Sequence, residues 1–331
     1  MKIVVTGGAG YIGSHFVKAA LNANHEVHVV DNLTTGHREA VDSRAIFHLG
    51  DIRDLDFMET VFAGNQFDSC VHFAACSLVP ESMEKPFKYF DNNVNGMLCL
   101  LETMKRHQTK TIVFSSSAAV YGDKLEMPIT EDDIPMPTNP YGESKLIMEK
   151  MMKWADAAYG IRYVSLRYFN VAGASCDQSI GEDHRPETHL IPIVLQVPLG
   201  LRENIVIYGN DYDTEDGTCV RDYIHVGDLV SAHLKGLDYL ASGKPSDIFN
   251  LGNRKGFSNL EIVETASRVT GYEIEHVFGP RRAGDPARLI ASNLKAEKIL
   301  GWIPKKGLEE IIRSAWEFHQ KHPYGYEGDD R

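Results

Sequence analysis

Tyr141 and Lys145 stand four residues apart in Tyr141-Gly142-Glu143-Ser144-Lys145, a spacing that puts a phenol and an ammonium on one face of a helix. A phenol is a poor base at neutral pH, but a cation held nearby favours the phenolate and brings its pKa toward the working range. Such a pair can take a proton from an alcohol. A Tyr-Lys pair at helical spacing is also a common solvated face, so the chemistry rests on what precedes it: a glycine-rich turn near residue 7, and Ser115-Ser116-Ser117 after an apolar run. A hydroxyl of that run beside the phenol would orient a substrate alcohol, although serines after a strand also serve as plain turn residues.

These groups need a scaffold that brings them together. Lys2 to Thr6 is a short β-rich run, followed by Gly7-Gly8-Ala9-Gly10-Tyr11-Ile12-Gly13 and a helical pattern through Phe16, Val17, Ala20 and Leu21. Gly7, Gly10 and Gly13 let the backbone pass close to a pyrophosphate, which the free N–H groups and dipole of the helix N-terminus attract. The next strand, Glu26 to Val30, ends in Asp31, near the offset of about 20 residues at which a carboxylate grips a ribose diol. A carboxylate there repels a 2′-phosphate, and Asn32 and Leu33 add no cation, so NAD is expected rather than NADP. Further strands are expected at Ala45 to Leu49, Cys70 to Phe73, Thr111 to Phe114 and Arg162 to Arg167. Their carboxyl ends place Asp51 and Phe73-Ala74-Ala75 at the ligand edge of a doubly wound sheet. Asp51 reads equally well as the cap of the helix that follows.

Beyond about residue 172 the β-α alternation breaks down. Val220 to Val226 reads as a strand returning to the first lobe, and 256–324 holds helices of the second. The expected fold is an α/β, Rossmann-type parallel sheet of residues 1–172 plus about 218–250, with a smaller interleaved lobe of 173–217 and 251–331. The helical stretches 92–104 and 141–160 are apolar on more than one stripe, so a side left over from the sheet is expected to meet a second copy as a homodimer; a covering lobe of the same chain is the alternative.

At 331 residues with 43% hydrophobic side chains the chain supports a large core. Its net charge of −12 argues against nucleic acid or an anionic membrane surface, so any polyanion partner should be small. Cys70, Cys76, Cys99, Cys176 and Cys219 show neither metal spacing nor a secretory framework, and no apolar run approaches the ~20 residues of a membrane span. Reduced thiols in a cytoplasmic protein are expected. No metal set is read: His184 and His189 lie in a polar loop, at a spacing that fits no standard ligand pattern.

Together these segments resemble the extended short-chain dehydrogenase/reductase family, and within it the UDP-glucose 4-epimerase branch. The resemblance is carried by Thr6 to Gly13, Asp31-Asn32-Leu33, Gly50-Asp51-Ile52-Arg53, Asp91 to Gly96, Ser115 to Gly122, Tyr141 to Lys145, Arg167 to Asn170, Asn210-Asp211-Tyr212, Thr214 to Thr218, Val220 to Val226 and Arg281 to Asp285. It implies a retained NAD and a Tyr141 that exchanges a proton with the sugar C4 hydroxyl while hydride leaves C4. Ser117 would hydrogen-bond that hydroxyl, and Lys145 would bind the nicotinamide ribose and lower the Tyr141 pKa. The cofactor contacts it implies are Tyr11, Ile12, Asp31, Asn32, Leu33, Thr34, Thr35, Gly36, Asp51, Ile52, Phe73, Ala74, Ala75, Ser77, Asn92 and Phe169. The implied UDP contacts are Asn170, His189, Leu190, Val206, Ile207, Tyr208, Arg221, Arg282 and Asp285. Two arginines suit a diphosphate in an acidic protein, although either could instead pair with Asp222 or Asp285. Ser77 stands where the family often has lysine, and His189 where asparagine is usual. The residue gating the sugar pocket aligns near Arg288 with spacing shorter by one, so a C2 N-acetyl group is left open.

Related dehydratases place an acid and a base, and decarboxylases a glutamate, where this chain has Ala118 and Ala119, which speaks against both. Epimerases of another UDP-sugar, N-acetylated or pentose, a reductase that releases its cofactor, and a non-catalytic NAD-binding regulator are the remaining alternatives.

Overall fold

The computed structural model describes residues 1–124, 126–282 and 285–327. Seven parallel strands form the central sheet, in the order Asp247–Leu251, Arg162–Tyr168, Thr111–Ser115, Ser69–His72, Lys2–Thr6, Glu26–Asp31, Ile46–Leu49. The chain starts in the middle, moves outward in one direction to Leu49, then crosses back to Ser69, so the order reverses beside Lys2–Thr6. At such a reversal the loops on either side diverge and leave a crevice at the carboxyl ends.

Both faces of the sheet are covered, as the near-continuous apolar strands require. Tyr11–Asn22 and Val226–Ala241 bury Phe16, Val17, Leu229 and Leu237 on one face. Leu55–Ala63, Gly96–Arg106 and Pro140–Tyr159 bury Met58, Leu100, Met148 and Met152 on the other. A separate apolar cluster joins helices Leu190–Leu195, Asn259–Thr270 and Leu308–Lys321 through Ile191, Ile262, Ile311 and Trp316. Ala296, Leu300 and Trp302, although late in the chain, pack into the core of the large sheet.

Two expectations are corrected. The 220–226 segment is not one strand. It splits at Asp222: Val220–Arg221 pairs with Phe257–Ser258 and Arg288–Leu289, whereas Tyr223–His225 pairs with Asn170–Ala172. The Asp222 carboxylate is buried and accepts the N–H groups of Asn253 (2.8 Å) and Ala291 (3.1 Å), tying the break point to two other loops. The strand that does complete the sheet is Asp247–Leu251, which the sequence reading missed. The 92–104 stretch, in turn, is not one regular helix: Phe90–Asn95 is a wide π turn that runs into the α-helix Gly96–Arg106. Among the described residues no helix is long and apolar enough to cross a membrane.

Candidate active site

The glycine turn leaves Lys2–Thr6 at Gly7, whose φ of +74° is open to glycine, and where a Cβ would lie 2.5 Å from the Ala74 nitrogen. A Cβ on Gly13 would stand 2.1 Å from the Gly7 carbonyl oxygen, so this residue lets the helix close onto the turn. Gly10 differs: a Cβ there meets nothing nearer than 3.5 Å, and no side chain caps the helix that begins at Tyr11. The open side of Gly10 and the uncapped N-terminus form a cradle that fits a pyrophosphate.

Asp31 ends the adjacent strand and accepts from the N–H groups of Ala9 and Leu33, both at 2.9 Å. Burial raises its pKa, and those backbone bonds oppose the rise. Leu33 has a φ of +57°, and the loop folds back so that His37 donates to the Ala9 carbonyl (2.9 Å), closing Gly36 over the glycine turn. Asn32, Thr34 and Thr35 are exposed along this loop. The two readings of Asp51 are separated here. Asp54, not Asp51, caps Leu55–Ala63, accepting from Phe57 N at 3.0 Å. Asp51 instead takes Arg53 through two side-chain bonds of 2.9 and 2.8 Å, which hold its pKa well below the usual carboxylate range, and it accepts from Asn32 at 3.0 Å.

Tyr11 turns its phenol inward and donates to the Gly173 carbonyl (2.6 Å). Phe73 packs on Phe16, Ile52 is buried against the far-face helices, and Phe169 packs beside Val120 and Leu146. Ala74 and Ala75 are half-buried, and Ser77 is exposed. Asn92 serves here by donating to the Asn93 side chain (3.0 Å). Asn93, overlooked in the sequence, is fully buried: it accepts from Cys76 N (2.8 Å) and donates to the Ser144 hydroxyl (2.9 Å), tying the 73–77 turn to the helix of Tyr141. Only its place in the repeated asparagines Asn92-Asn93 hinted at it.

Asn139 accepts from Gly142 N (2.9 Å) and Pro140 opens the helix, so Pro140–Tyr159 starts one residue before Tyr141. Ser117 caps the short turn Ala118–Tyr121, accepting from Ala119 N at 3.1 Å, and its side chain acts on the Tyr141 phenol, drawing its pKa down. Lys145 is 3% exposed, donates to the Ser115 carbonyl at 2.8 Å, and lies 5.9 Å from the Tyr141 ring centre. The expected lowering of the Tyr141 pKa by Lys145 is not what this arrangement produces. Burial pushes the phenol up, and it is Ser117 that draws it back. Burial likewise brings Lys145 down to about 7, with Glu149 and then Cys76 opposing, so at neutral pH the lysine carries only part of its charge.

A cavity of about 290 Å³ lies beyond Asn170. The substrate residues read from the sequence that line it are Asn170, His189, Leu190, Val206, Ile207, Tyr208, Arg221 and Arg282; Ser117, Tyr141 and Asp285 do not. Arg282 stacks on the Tyr208 ring at 5.2 Å. Asp285 bonds Arg282 (2.9 Å) and approaches Arg221 (3.5 Å), so the pairing alternative is met by Asp285 for both arginines, while Asp222 serves the backbone instead. Arg288 is exposed in the small sheet opposite Val220. Ala283 and Gly284 of the same motif lie outside the described residues.

The 182–189 loop holds more than its spacing suggested. Donor atoms of Glu182, His184, Glu187 and His189 lie within 4.8 Å of one another. His189 Nδ1 stands 3.0 Å from Glu182 and 2.9 Å from Glu187, and His184 Nδ1 stands 3.2 Å from Glu182. Burial alone would lower the histidines, but the two carboxylates raise His184 to about 9 and His189 to about 10. Two carboxylates thus balance two imidazoliums, and the group is a paired-charge cluster at the wall of the cavity.

Residues 3–252 match the family model described as NAD dependent epimerase/dehydratase family. The chain is 59% identical to the UDP-glucose 4-epimerase of Lacticaseibacillus casei over 98% of this chain and 99% of that one. It is 58% identical to the UDP-glucose 4-epimerase of Streptococcus mutans over the full length of both. The crystal structure of UDP-glucose 4-epimerase from Bifidobacterium longum in complex with NAD+ and UDP superimposes with a TM-score of 0.93 at 39% identity, over 98% of this chain and 100% of that one.

Proposed function

The chain belongs to the NAD dependent epimerase/dehydratase family, and within it we propose that it interconverts UDP-galactose and UDP-glucose by inverting C4 of the sugar. The observation that carries this reading is a division of labour beyond the carboxyl edge of the sheet. Proton-handling side chains sit at the carboxyl end of Thr111–Ser115, two strands from the glycine cradle, and an arginine-walled cavity lies separately beyond Asn170.

Gly7 to Gly13, Asp31 and the 33–36 loop would hold NAD, with Ile52, Phe73 to Ala75, Ser77, Asn92 and Phe169 along its path. Bound there, it supplies a positively charged hydride acceptor whose reduced form returns the hydride. Ser117, whose hydroxyl acts on the Tyr141 phenol, would also hydrogen-bond the C4 hydroxyl and orient it. Tyr141 takes the proton of that hydroxyl in one half of the reaction and returns it in the other. When charged, Lys145, 5.9 Å from the Tyr141 ring centre, would stabilise the phenolate once the proton has left, and its bond to Ser115 fixes the turn that carries Ser117.

Inversion requires the 4-keto sugar to present its opposite face, so the nucleotide must stay gripped while the hexose turns. Arg221 and Arg282 offer forked donors to the two phosphates. Asp285 presets their orientation, and Val206 to Tyr208 and Leu190 form the wall for the base. Ala118 and Ala119 provide no acid or base for elimination, which favours epimerisation over dehydration.

We further propose a homodimer through the 92–104 and 141–160 helices, where Leu98 and Trp154 (71% exposed) project from otherwise packed elements. A cytoplasmic location and the two-lobe division, 1–172 with about 218–250 against 173–217 with 251–331, belong to the same reading.

The test is to incubate the purified protein with UDP-galactose, adding no NAD, and to follow the anomeric sugar signals by NMR. Conversion that stops at a fixed UDP-glucose mixture is expected. No conversion even with NAD supplied refutes UDP-galactose as substrate, and UDP-N-acetylgalactosamine and the pentose analogue then decide among the other sugars.

A further inference from the structure

Among the described residues, Lys145 makes one hydrogen bond, to the Ser115 carbonyl, in a site that shuts out water. The groups that act on it come from four elements. From its own helix come Tyr141 and Glu149, and from the 73–77 turn comes Cys76. His72 faces it from Ser69–His72, and Phe114 from Thr111–Ser115, with its ring centre at 4.9 Å. Burial keeps His72 and the Cys76 thiol uncharged at neutral pH, and Tyr141 is likewise shifted upward. Among the described residues acting on Lys145, that leaves Glu149 as the anion.

Glu149 lies one helical turn beyond Lys145, on the same face. It is 4% exposed, and its carboxylate is fully engaged: Arg167 grips both oxygens at 2.9 and 2.5 Å, and the Ser116 hydroxyl donates at 2.6 Å. Arg167, 3% exposed, is itself fixed by Tyr121 (2.8 Å), whose hydroxyl donates to Asn250 (2.7 Å). A buried ion pair is a weak device for stability, since desolvation of both charges offsets most of their attraction. This one touches the site twice, through Ser116 next to Ser117 and through the field it sets at Lys145.

We propose that Glu149 is a positioning residue of the proton-handling site: its carboxylate, fixed by Arg167 and Ser116, sets a negative charge one helical turn from Lys145 and anchors the serine turn. The proposal rests on the reading of Tyr141 and Lys145 given above. It makes a directional claim. Removing the negative charge at Glu149 favours neutral Lys145, so the alkaline limb of the rate profile moves to lower pH.

The experiment is the pH profile of kcat/KM for UDP-galactose epimerisation in the wild-type protein, E149Q and E149D. Gln keeps an oxygen that accepts from Ser116 while losing the charge. The alkaline limb is expected to move down by about one pH unit in E149Q, as loss of a facing opposite charge should, so that activity drops about tenfold near pH 9 and changes less than about threefold near pH 6.5. E149D, which restores the charge, is expected to return most of the limb. A uniform loss at every pH with the limb unmoved makes Glu149 merely structural and overturns the proposal. If E149Q fails to fold, S116A decides: losing one donor leaves more negative charge facing Lys145, so its limb is expected to rise by a few tenths of a unit, and an unmoved limb overturns the proposal. A wild-type protein inactive on every UDP-sugar instead refutes the functional reading, and the role of Glu149 falls with it.

Discussion

Lys145 is buried and the His184–His189 pair only partly so, and these basic groups end on opposite sides of their ordinary values. Burial takes Lys145 down to about 7, and a carboxylate one helical turn away only partly resists. Burial also disfavours the charged histidines, yet His184 and His189 rise to about 9 and about 10, because carboxylate oxygens stand 2.9 to 3.2 Å from their rings. Contact decides the sign. In the first region Glu149 is engaged by Arg167 and Ser116 and acts on Lys145 only through space; in the second, Glu182 and Glu187 touch their partners directly. One arrangement leaves a proton poised to move near neutral pH, and the other locks protons in place.

The comparison breaks most visibly at the phenol. Y141F is expected to lower turnover by about 100-fold or more, as loss of a general base does, while leaving the melting temperature near that of the wild type. Equal turnover in the two proteins would remove Tyr141 from the chemistry.

Stability should separate the regions next. E182Q takes a 4%-exposed carboxylate from between two imidazoliums and is expected to destabilise by about 2 kcal/mol, allowing for the half-exposed His189. K145M removes a buried, weakly compensated cation and fills its volume, so folding stability at pH 7 is expected to hold or rise by up to about 1 kcal/mol. Urea unfolding reads both. A K145M protein destabilised as much as E182Q would show that the lysine is held by its contacts after all.

The smallest effect is in the alkaline dependence of stability, where the two regions pull in opposite directions. His184 and His189 have folded pKa values above their unfolded value of about 6.5, so their contribution is complete below that pH and is lost as pH rises through about 9 to 10. Lys145 has a folded pKa below its unfolded 10.5, so its burial penalty is complete below about 7 and is relieved as pH rises toward 10.5. Melting temperatures from pH 7 to about 10 are therefore expected to fall more steeply in K145M than in the wild type, and less steeply in E182Q. Parallel curves in all three proteins would mean that neither group is linked to folding.

Much of the cofactor side was legible along the chain because its signals are local. Strand, glycine turn and helix follow one another within Lys2 to Asn22, and Asp31 closes the next strand. Tyr141 and Lys145 need only helical spacing, and Asn139-Pro140 announces where that helix starts. The second lobe was less legible: its core joins Ile191, Ile262 and Ile311, far apart in the chain, and the 220–226 segment looked like one strand because its break depends on Asp222 reaching Asn253 and Ala291.

By itself, then, the sequence determined the chemistry available and the local geometry that carries it: the phenol and ammonium one turn apart, the serines at a strand end, the glycines where Cβ atoms would collide, and two arginines in an acidic chain. Only the tertiary structure decided the protonation of these groups and their supports. It gave the helix cap to Asp54 and paired Asp51 with Arg53, drew Asn93 between Cys76 and Ser144, closed Arg167 on Glu149, and gathered Glu182 with His189. It also raised the Tyr141 pKa that the sequence suggested would fall. The reason is physical: spacing fixes which groups share a face, whereas a charge answers to the water it has lost and to partners that only packing brings within 3 Å.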